Sequence, residues 1–334
     1  MINNTNKITV IPICFFFDHK IVIPAGVCIS SLLDKAKSDT FYEIFIFHPG
    51  DIVGNYKETL TKLEEVYNNC KFTFLDVRDK FKNGYILRGI PNVTYYRLLV
   101  PEMLPQYDKV IVSDVDIIFN IDLSNLYNTV EFEGCYLAAV KNAIVKNNYV
   151  RSLGCDPLKY VNCGFFIFNS AQVRQDKISE KFKELVGNKY FYLDQDIINI
   201  VCQGKIIYLH PKYNLSQSFY QRYYKDPDGL KKLFSDEEIS EGLEASVIHY
   251  FKQSTDNSKS GLIHYNGVNP WEILCWRHDI WWEYYRKSIY YDHKFYVDHY
   301  NNIINPTAKN LLYRLIKTIM KKYFGKLKRK IIAE

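Results

Sequence analysis

The feature that most constrains this chain is a repeated switch of hydrophobic period over its first two thirds. ITVIPICFFF (8–17) reads as a buried strand, and PAGVCISSLLDKAK (24–37) as a helix with Pro at its start. EIFIFH (43–48) is a strand and NYKETLTKLEEVYNN (55–69) an amphipathic helix. KFTFLDV (71–77) is a strand, TYYRLLVPEML (94–104) is helical, and KVIVS (109–113) is a strand again. CYLAAV (135–140) and CGFFIFN (163–169) add strands. AQVRQDKISEKFKELVG (171–187) and DQDIINIVCQG (194–204) add helices, the second ended by Gly204. Strands separated by helices require right-handed crossovers, which build a mainly parallel sheet. Continuous apolar strands fit a sheet covered on both faces. The predicted class is therefore α/β, a Rossmann-like mainly parallel sheet flanked by helices.

Composition sets the outer limits. With 334 residues, 47% hydrophobic and 24% charged, the chain can bury a large core in one domain or two. Aromatics make up 16% of it; flat rings suit sugar or base stacking, but core filling accounts for most of them. The net charge is +6, and the basic excess is densest in 309–330. No basic face is evident elsewhere, so no nucleic-acid partner is expected. The eight cysteines are scattered without a CxxC pair, which argues against a zinc knuckle or redox couple and for reduced cytosolic thiols. The apolar run after Lys7 contains Pro12 and lacks a small-residue cleavage site, so it reads as a core strand rather than a signal segment. No apolar run reaches the ~18 residues of a membrane span.

Within KVIVSDVDIIFN (109–120), two carboxylates, Asp114 and Asp116, interrupt an otherwise buried pattern. Ligands of open parallel sheets bind at the carboxyl ends of strands, and Asp114 stands where KVIVS ends. Two carboxylates so close repel unless a cation sits nearby, and Mg²⁺ or Mn²⁺ takes such oxygen ligands while bridging to a diphosphate. A bare DxD is more often a turn of solvated aspartates than a metal site.

Four blocks together decide between these readings. TYYRLLVPEMLPQYDKVIVSDVDIIF, YVNCGFFIFNSAQVR, LDQDIINIVCQGKI and HYNGVNPW occur in one order over about 8–290. In that pattern the chain resembles the retaining glycosyltransferases of family 8, the lipopolysaccharide galactosyl- and glucosyltransferase type, which have the GT-A fold. The resemblance implies a GT-A catalytic domain over 1–270 and an aromatic, basic helical extension over 271–334. It implies that Asp114, Asp116 and His264 hold Mn²⁺ (or Mg²⁺) against the diphosphate of a UDP-sugar. His249 also heads an HY pair but lacks the following Gly and PW, so His264 is preferred. Asn266 and Gly267 of the same block would touch the donor. The implied sugar pocket is Arg97, Asn162, Gly164, Asp194, Gln195 and Asp196, although carboxylates opening a helix are also expected simply as caps. Gln195 would lie nearest the reacting sugar, as a nucleophile or as a stabiliser of developing positive charge. Asp18 maps to the uracil side.

Three positions depart from the family pattern. Ile21 stands where an aromatic ring often stacks on uracil, Asn269 where a Lys contacts the diphosphate, and Asn142 where an Asp is usual near the donor sugar. In the tail LLYRLIKTIMKKYFGKLKRKII, apolar residues recur every third or fourth position with basic residues between them. Such a helix suits an anionic membrane surface, though a solvated helix packed on the domain has the same pattern. The implied activity is hexosyl transfer, galactose or glucose, from a UDP-sugar to a saccharide acceptor. That acceptor is expected to be lipopolysaccharide or another surface glycan, reached from the cytoplasm or the cytoplasmic face of the inner membrane. The rivals are a nucleotide-sugar-binding protein without turnover and a metal-dependent nucleotidyltransferase or phosphohydrolase. Acceptor contacts are expected from loops within 220–262.

Overall fold

A computed structural model describes residues 8–304, except 79, 82–83, 86–91, 252–259, 268 and 273; beyond 304 it describes only 308, 311, 312 and 316. The basic tail thus falls almost wholly outside the described residues. The chain divides into two compact units, Met1–Gly267 and Val268–Glu334.

In the first unit the apolar runs form two sheets. The large one contains β1 (Thr9–Phe16), β2 (Thr40–His48), β3 (Cys70–Asp76), β4 (Lys109–Ser113), β6 (Leu137–Lys141), β7 (Val161–Asn169) and β8 (Ile206–Tyr208). Their spatial order is β3-β2-β1-β4-β7-β6-β8. Every neighbouring pair is parallel except those made by β7, which runs antiparallel to β4 and β6. Burial on both faces explains the unbroken apolar strands: from Ile11 to Phe17 every residue of β1 and its end is buried. Val173, Ile178, Phe182, Ile197 and Ile198, on helices after β7, join Val112, Phe166 and Phe168 in one core cluster.

The small sheet contains β5 (Ile117–Phe119), β9 (Leu215–Ser216) and β10 (Leu262–His264), ordered β5-β10-β9. β10 runs antiparallel to β5 and parallel to β9. β5 packs near the helix Val22–Asp34, whose Ser31 Oγ accepts the Phe119 N–H at 2.9 Å.

Two elements differ from the sequence expectation. TYYRLLVPEML is mostly 3₁₀ helix, Asn92–Leu99, before one α-turn, Val100–Met103; Pro101 at the start of that turn suits its position there. The single helix expected over 171–187 is two, Ser170–Gln175 and Ile178–Leu185, broken at Lys177, which takes φ +53°. A left-handed residue cannot continue a right-handed helix. Within 220–262, where loops contacting the acceptor are expected, the described residues are mainly helical over Gln217–Lys225, Pro227–Lys231 and Asp236–Phe251.

In the second unit the aromatics form their own core. On the helix His278–Lys287, Trp281 stacks on Tyr285 with ring centres 5.5 Å apart, and Trp282 stacks on His299 at 3.7 Å. The Trp282 indole N–H donates to the Pro270 carbonyl at 2.9 Å. This supports the bland reading of the aromatic excess, which fills a core. Among the described residues no helix is long and apolar enough to cross a membrane, and all eight cysteines are free.

Candidate active site

β4 ends at Ser113 in mid-sheet, so the chain leaves the sheet at its carboxyl edge carrying Asp114 and Asp116. The Asp114 N–H donates to the Gly164 carbonyl of β7 at 2.7 Å, which fixes where the turn begins. β5 starts immediately after Asp116 and pairs Ile117 with His264 of β10. The Tyr265 N–H donates to the Asp116 carbonyl at 2.9 Å. Strand register therefore delivers His264 to the two aspartates, which are some 150 residues away in sequence.

Potential ligand atoms of Asp114, Asp116 and His264 all lie within 4.8 Å of one another. His264 Nε2 is 3.3 Å from Asp116 Oδ1 and 3.7 Å from Asp114 Oδ2. The Nε2 atom is buried and has no hydrogen-bond partner. An orphaned ring nitrogen facing two carboxylates is the donor set a divalent cation takes, so these residues fit a metal. Burial works against charging the ring, but the Asp116 and Asp114 carboxylates outweigh it and raise the His264 pKa. Burial likewise raises the Asp114 pKa, against the lowering effect of Arg97.

Arg97, on the 3₁₀ helix, is 5% exposed. Its Nη2 donates to Asp114 Oδ1 at 2.7 Å, its Nε lies 3.0 Å from Asp194 Oδ2, and its Nη1 donates to the Cys163 carbonyl. Arg97 also lines the cavity that the two aspartates face. Burial opposes its charge, but Asp114 and Asp194 more than compensate and raise its pKa.

Asp194 opens the helix Asp194–Val201, directly after Leu193, whose backbone sits at φ +54°. That conformation is unfavourable for a β-carbon residue and turns the helix start into the cavity. The Thr94 hydroxyl and Arg97 both engage the Asp194 carboxylate. Burial nonetheless prevails and pushes its pKa up to about 6. Gln195 is held by its own amide: Oε1 accepts the Cys163 N–H at 3.1 Å and Nε2 reaches the Tyr160 hydroxyl at 3.4 Å.

Asp114, Asp116, His264, Arg97, Asn162, Gly164, Asp194, Gln195, Asn266 and Gly267 all line one cavity of about 320 Å³. Asn142 lines it too, 6% exposed, with its Oδ1 unpartnered. Gly164 leaves room for the His264 ring: a β-carbon there would overlap Cε1 and lie 2.9 Å from both ring nitrogens. Two expected residues do not line this cavity. Asp196 is fully buried, accepting from Tyr149 Oη at 2.6 Å, Tyr160 Oη at 2.5 Å and the Tyr192 N–H at 2.7 Å. Asp18 caps the short turn His19–Ile21, accepting the Lys20 N–H at 3.0 Å. His249 falls in the helix Asp236–Phe251, with its side chain outside the described residues. Thr94, Ile144, Tyr192 and Ser218 line the cavity without a signal in the sequence.

The family model for glycosyl transferase family 8 matches residues 12–275. The chain belongs to that family. It is 29% identical over 229 residues to a protein named as a glycosyltransferase in Haemophilus influenzae, covering 66% of each chain. It is 23% identical over 222 residues to the lipopolysaccharide 1,2-glucosyltransferase of Escherichia coli, covering 63% of this chain and 64% of that one. The matches thus span about two thirds of these relatives' lengths. Among solved structures, the galactosyltransferase LgtC in complex with donor and acceptor sugar analogs superposes with a TM-score of 0.67 at 20% identity, over 86% of this chain and 99% of that one. The bifunctional glycosyltransferase WbbM superposes at 0.69 and 22% identity, over 86% of this chain and 51% of that chain. These likenesses show a shared GT-A-type α/β fold.

Proposed function

We propose that the chain is a retaining hexosyltransferase that moves galactose or glucose from a UDP-sugar to a saccharide acceptor, with Mn²⁺ or Mg²⁺ held by Asp114, Asp116 and His264. One observation carries this reading: the acidic pair, the orphaned His264 Nε2 and the Asp194–Gln195 helix start face one cavity at the strand ends. A bound divalent ion supplies Lewis-acid stabilisation to a departing diphosphate. Arg97 orients Asp114 and Asp194 and brings its positive charge to the same space. Asp194 and Asn162 offer polar groups to sugar hydroxyls. The Gln195 amide oxygen, already accepting the Cys163 N–H, has a fixed direction. That anchoring favours electrostatic stabilisation at the reacting carbon over a lasting covalent bond. Asp18 is assigned to the nucleotide end by the family pattern, as are Asn266 and Gly267 to the donor.

We further assign 1–270 to catalysis and 271–334 to an extension whose basic tail meets an anionic membrane carrying a glycolipid acceptor. Sedimentation with anionic liposomes at low salt tests the tail; no sedimentation removes that part.

The activity is tested by UDP release from a panel of UDP-sugars, with Mn²⁺ and with EDTA, for the wild type and Asp116→Ala. Metal-dependent release from one sugar, lost in the variant, supports the reading and names the donor. UDP binding without release, even with glycolipid extract added, favours a binding protein. Free phosphate or UMP in place of intact UDP favours a phosphohydrolase or nucleotidyltransferase.

A further inference from the structure

Behind His264 lies a short relay of side-chain amides whose hydrogen-bond sense is set at one end by the backbone. The Gly164 N–H donates to Asn162 at 2.9 Å. A backbone N–H only donates, so the atom facing it is the amide oxygen, Oδ1. That same oxygen lies 2.8 Å from the Asn214 side chain. Asn214 must therefore present its NH₂ to Asn162 and turn its own oxygen the other way. The Asn214 Oδ1 atom lies 2.8 Å from His264 Nδ1. An amide oxygen only accepts, so Nδ1 carries a proton whether the ring is neutral or charged. In the neutral ring the lone pair then sits on Nε2, the atom that is buried, unpartnered and turned to Asp116 and Asp114.

We propose that Asn214 is a positioning residue of the cation site, holding His264 as the Nδ1–H tautomer so that the Nε2 lone pair faces the two aspartates. This rests on reading Asp114, Asp116 and His264 as a divalent-cation site. The fold supports it independently. Asn214 is 3% exposed and immediately precedes β9, whose pairing with β10 sets Leu215 against Ile263 and Ser216 against His264. The opposite tautomer would set the Nδ1 lone pair against the Asn214 oxygen and an Nε2–H in the ligand position. Outer hydrogen-bond partners of ligating histidines act in this way.

The full chain, labelled with ¹⁵N-histidine, is examined by NMR at a pH high enough to deprotonate the ring. The His264 signals are assigned by their loss in His264→Gln. The expected wild-type spectrum has a protonated Nδ1 and a bare Nε2; a protonated Nε2 would overturn the proposal. In parallel, Mn²⁺ binding is followed by electron paramagnetic resonance for the wild type and Asn214→Leu, which keeps similar volume without an acceptor. The variant should bind Mn²⁺ about 10–100-fold more weakly and populate both tautomers. Unchanged Mn²⁺ affinity would also overturn it. Should Asn214→Leu fail to fold, the wild-type spectrum alone decides. A wild type with the expected tautomer that binds no Mn²⁺ overturns the cation-site reading and, with it, the role assigned to Asn214.

Discussion

Gly164 is the position where one methyl group should disable the site. It lies within β7, with its N–H on Asn162 and its carbonyl on the Asp114 N–H. An alanine Cβ would overlap His264 Cε1 and come to 2.9 Å from Nδ1 and Nε2. Carbon contacts settle at about 3.5 Å or more, so the ring must withdraw by roughly 1 Å. It has little space to do so. His264 is 2% exposed and its Nδ1 is tethered to Asn214. The backbone at Gly164 is held on the β4 side by the Asp114 N–H, while its register against β6 is irregular at this point. Overpacking of this kind destabilises by about 1–3 kcal/mol. The larger effect should fall on the metal site, because a ligand moved by roughly 1 Å loses its geometry, an error that can cost about 10²-fold in function. Gly164→Ala should therefore stay folded, melt a few degrees lower, and bind Mn²⁺ at least about tenfold more weakly by paramagnetic titration. Wild-type Mn²⁺ affinity in a folded Gly164→Ala protein would refute the reasoning, since it would mean that His264 moves freely or is not a ligand.

Two further outcomes follow from buried carboxylates. Asp196→Ala strands two tyrosine hydroxyls and the Tyr192 N–H, and should lower stability in denaturant unfolding by about 3 kcal/mol or more; Asp116→Ala, at the cavity edge, should change it far less. Asp194 has its pKa raised to about 6 in the fold, against about 3.9 unfolded, so the native state binds more protons between these values. Stability should fall by roughly 3 kcal/mol as pH rises through that window. The acid limb of kcat/KM should lie near the same value, because the ionised form is the one paired with Arg97. Asp194→Asn should remove both the stability slope and the limb, as pH-dependent unfolding and rate profiles would reveal.

Period and apolarity made the parallel sheet legible, since strands buried on both faces leave unbroken runs. They could not reveal the break at Lys177, because a left-handed residue changes no hydrophobic pattern. The DQD segment shows a different limit. The family pattern placed all three residues at the sugar, but helical residues two apart point about 200° from each other. Asp194 and Gln195 line the cavity, while Asp196 turns back onto Tyr149 and Tyr160. Asn214 left no trace in the sequence because its partners Asn162 and His264 are 52 and 50 residues away. Only strand pairing joins them.

The charges of the site make one more outcome compulsory. Asp114, Asp116 and Asp194 set three carboxylates against one buried guanidinium, Arg97, which leaves two negative charges when His264 is neutral. The pKa values of Asp114, Asp194 and His264 are all raised. Burial drives the two aspartates; for His264, the carboxylates overcome burial. Protons and a divalent cation therefore compete for the same excess charge, and His264 must lose its proton before Nε2 can act as a ligand. Mn²⁺ binding should release protons, and its affinity should rise with pH until the imidazolium is fully deprotonated. Calorimetric titrations in buffers of different ionisation enthalpy count those protons directly. Mn²⁺ affinity that stays flat with pH, with no proton released, would mean that no group of the site gives up a proton to the cation and would refute this competition.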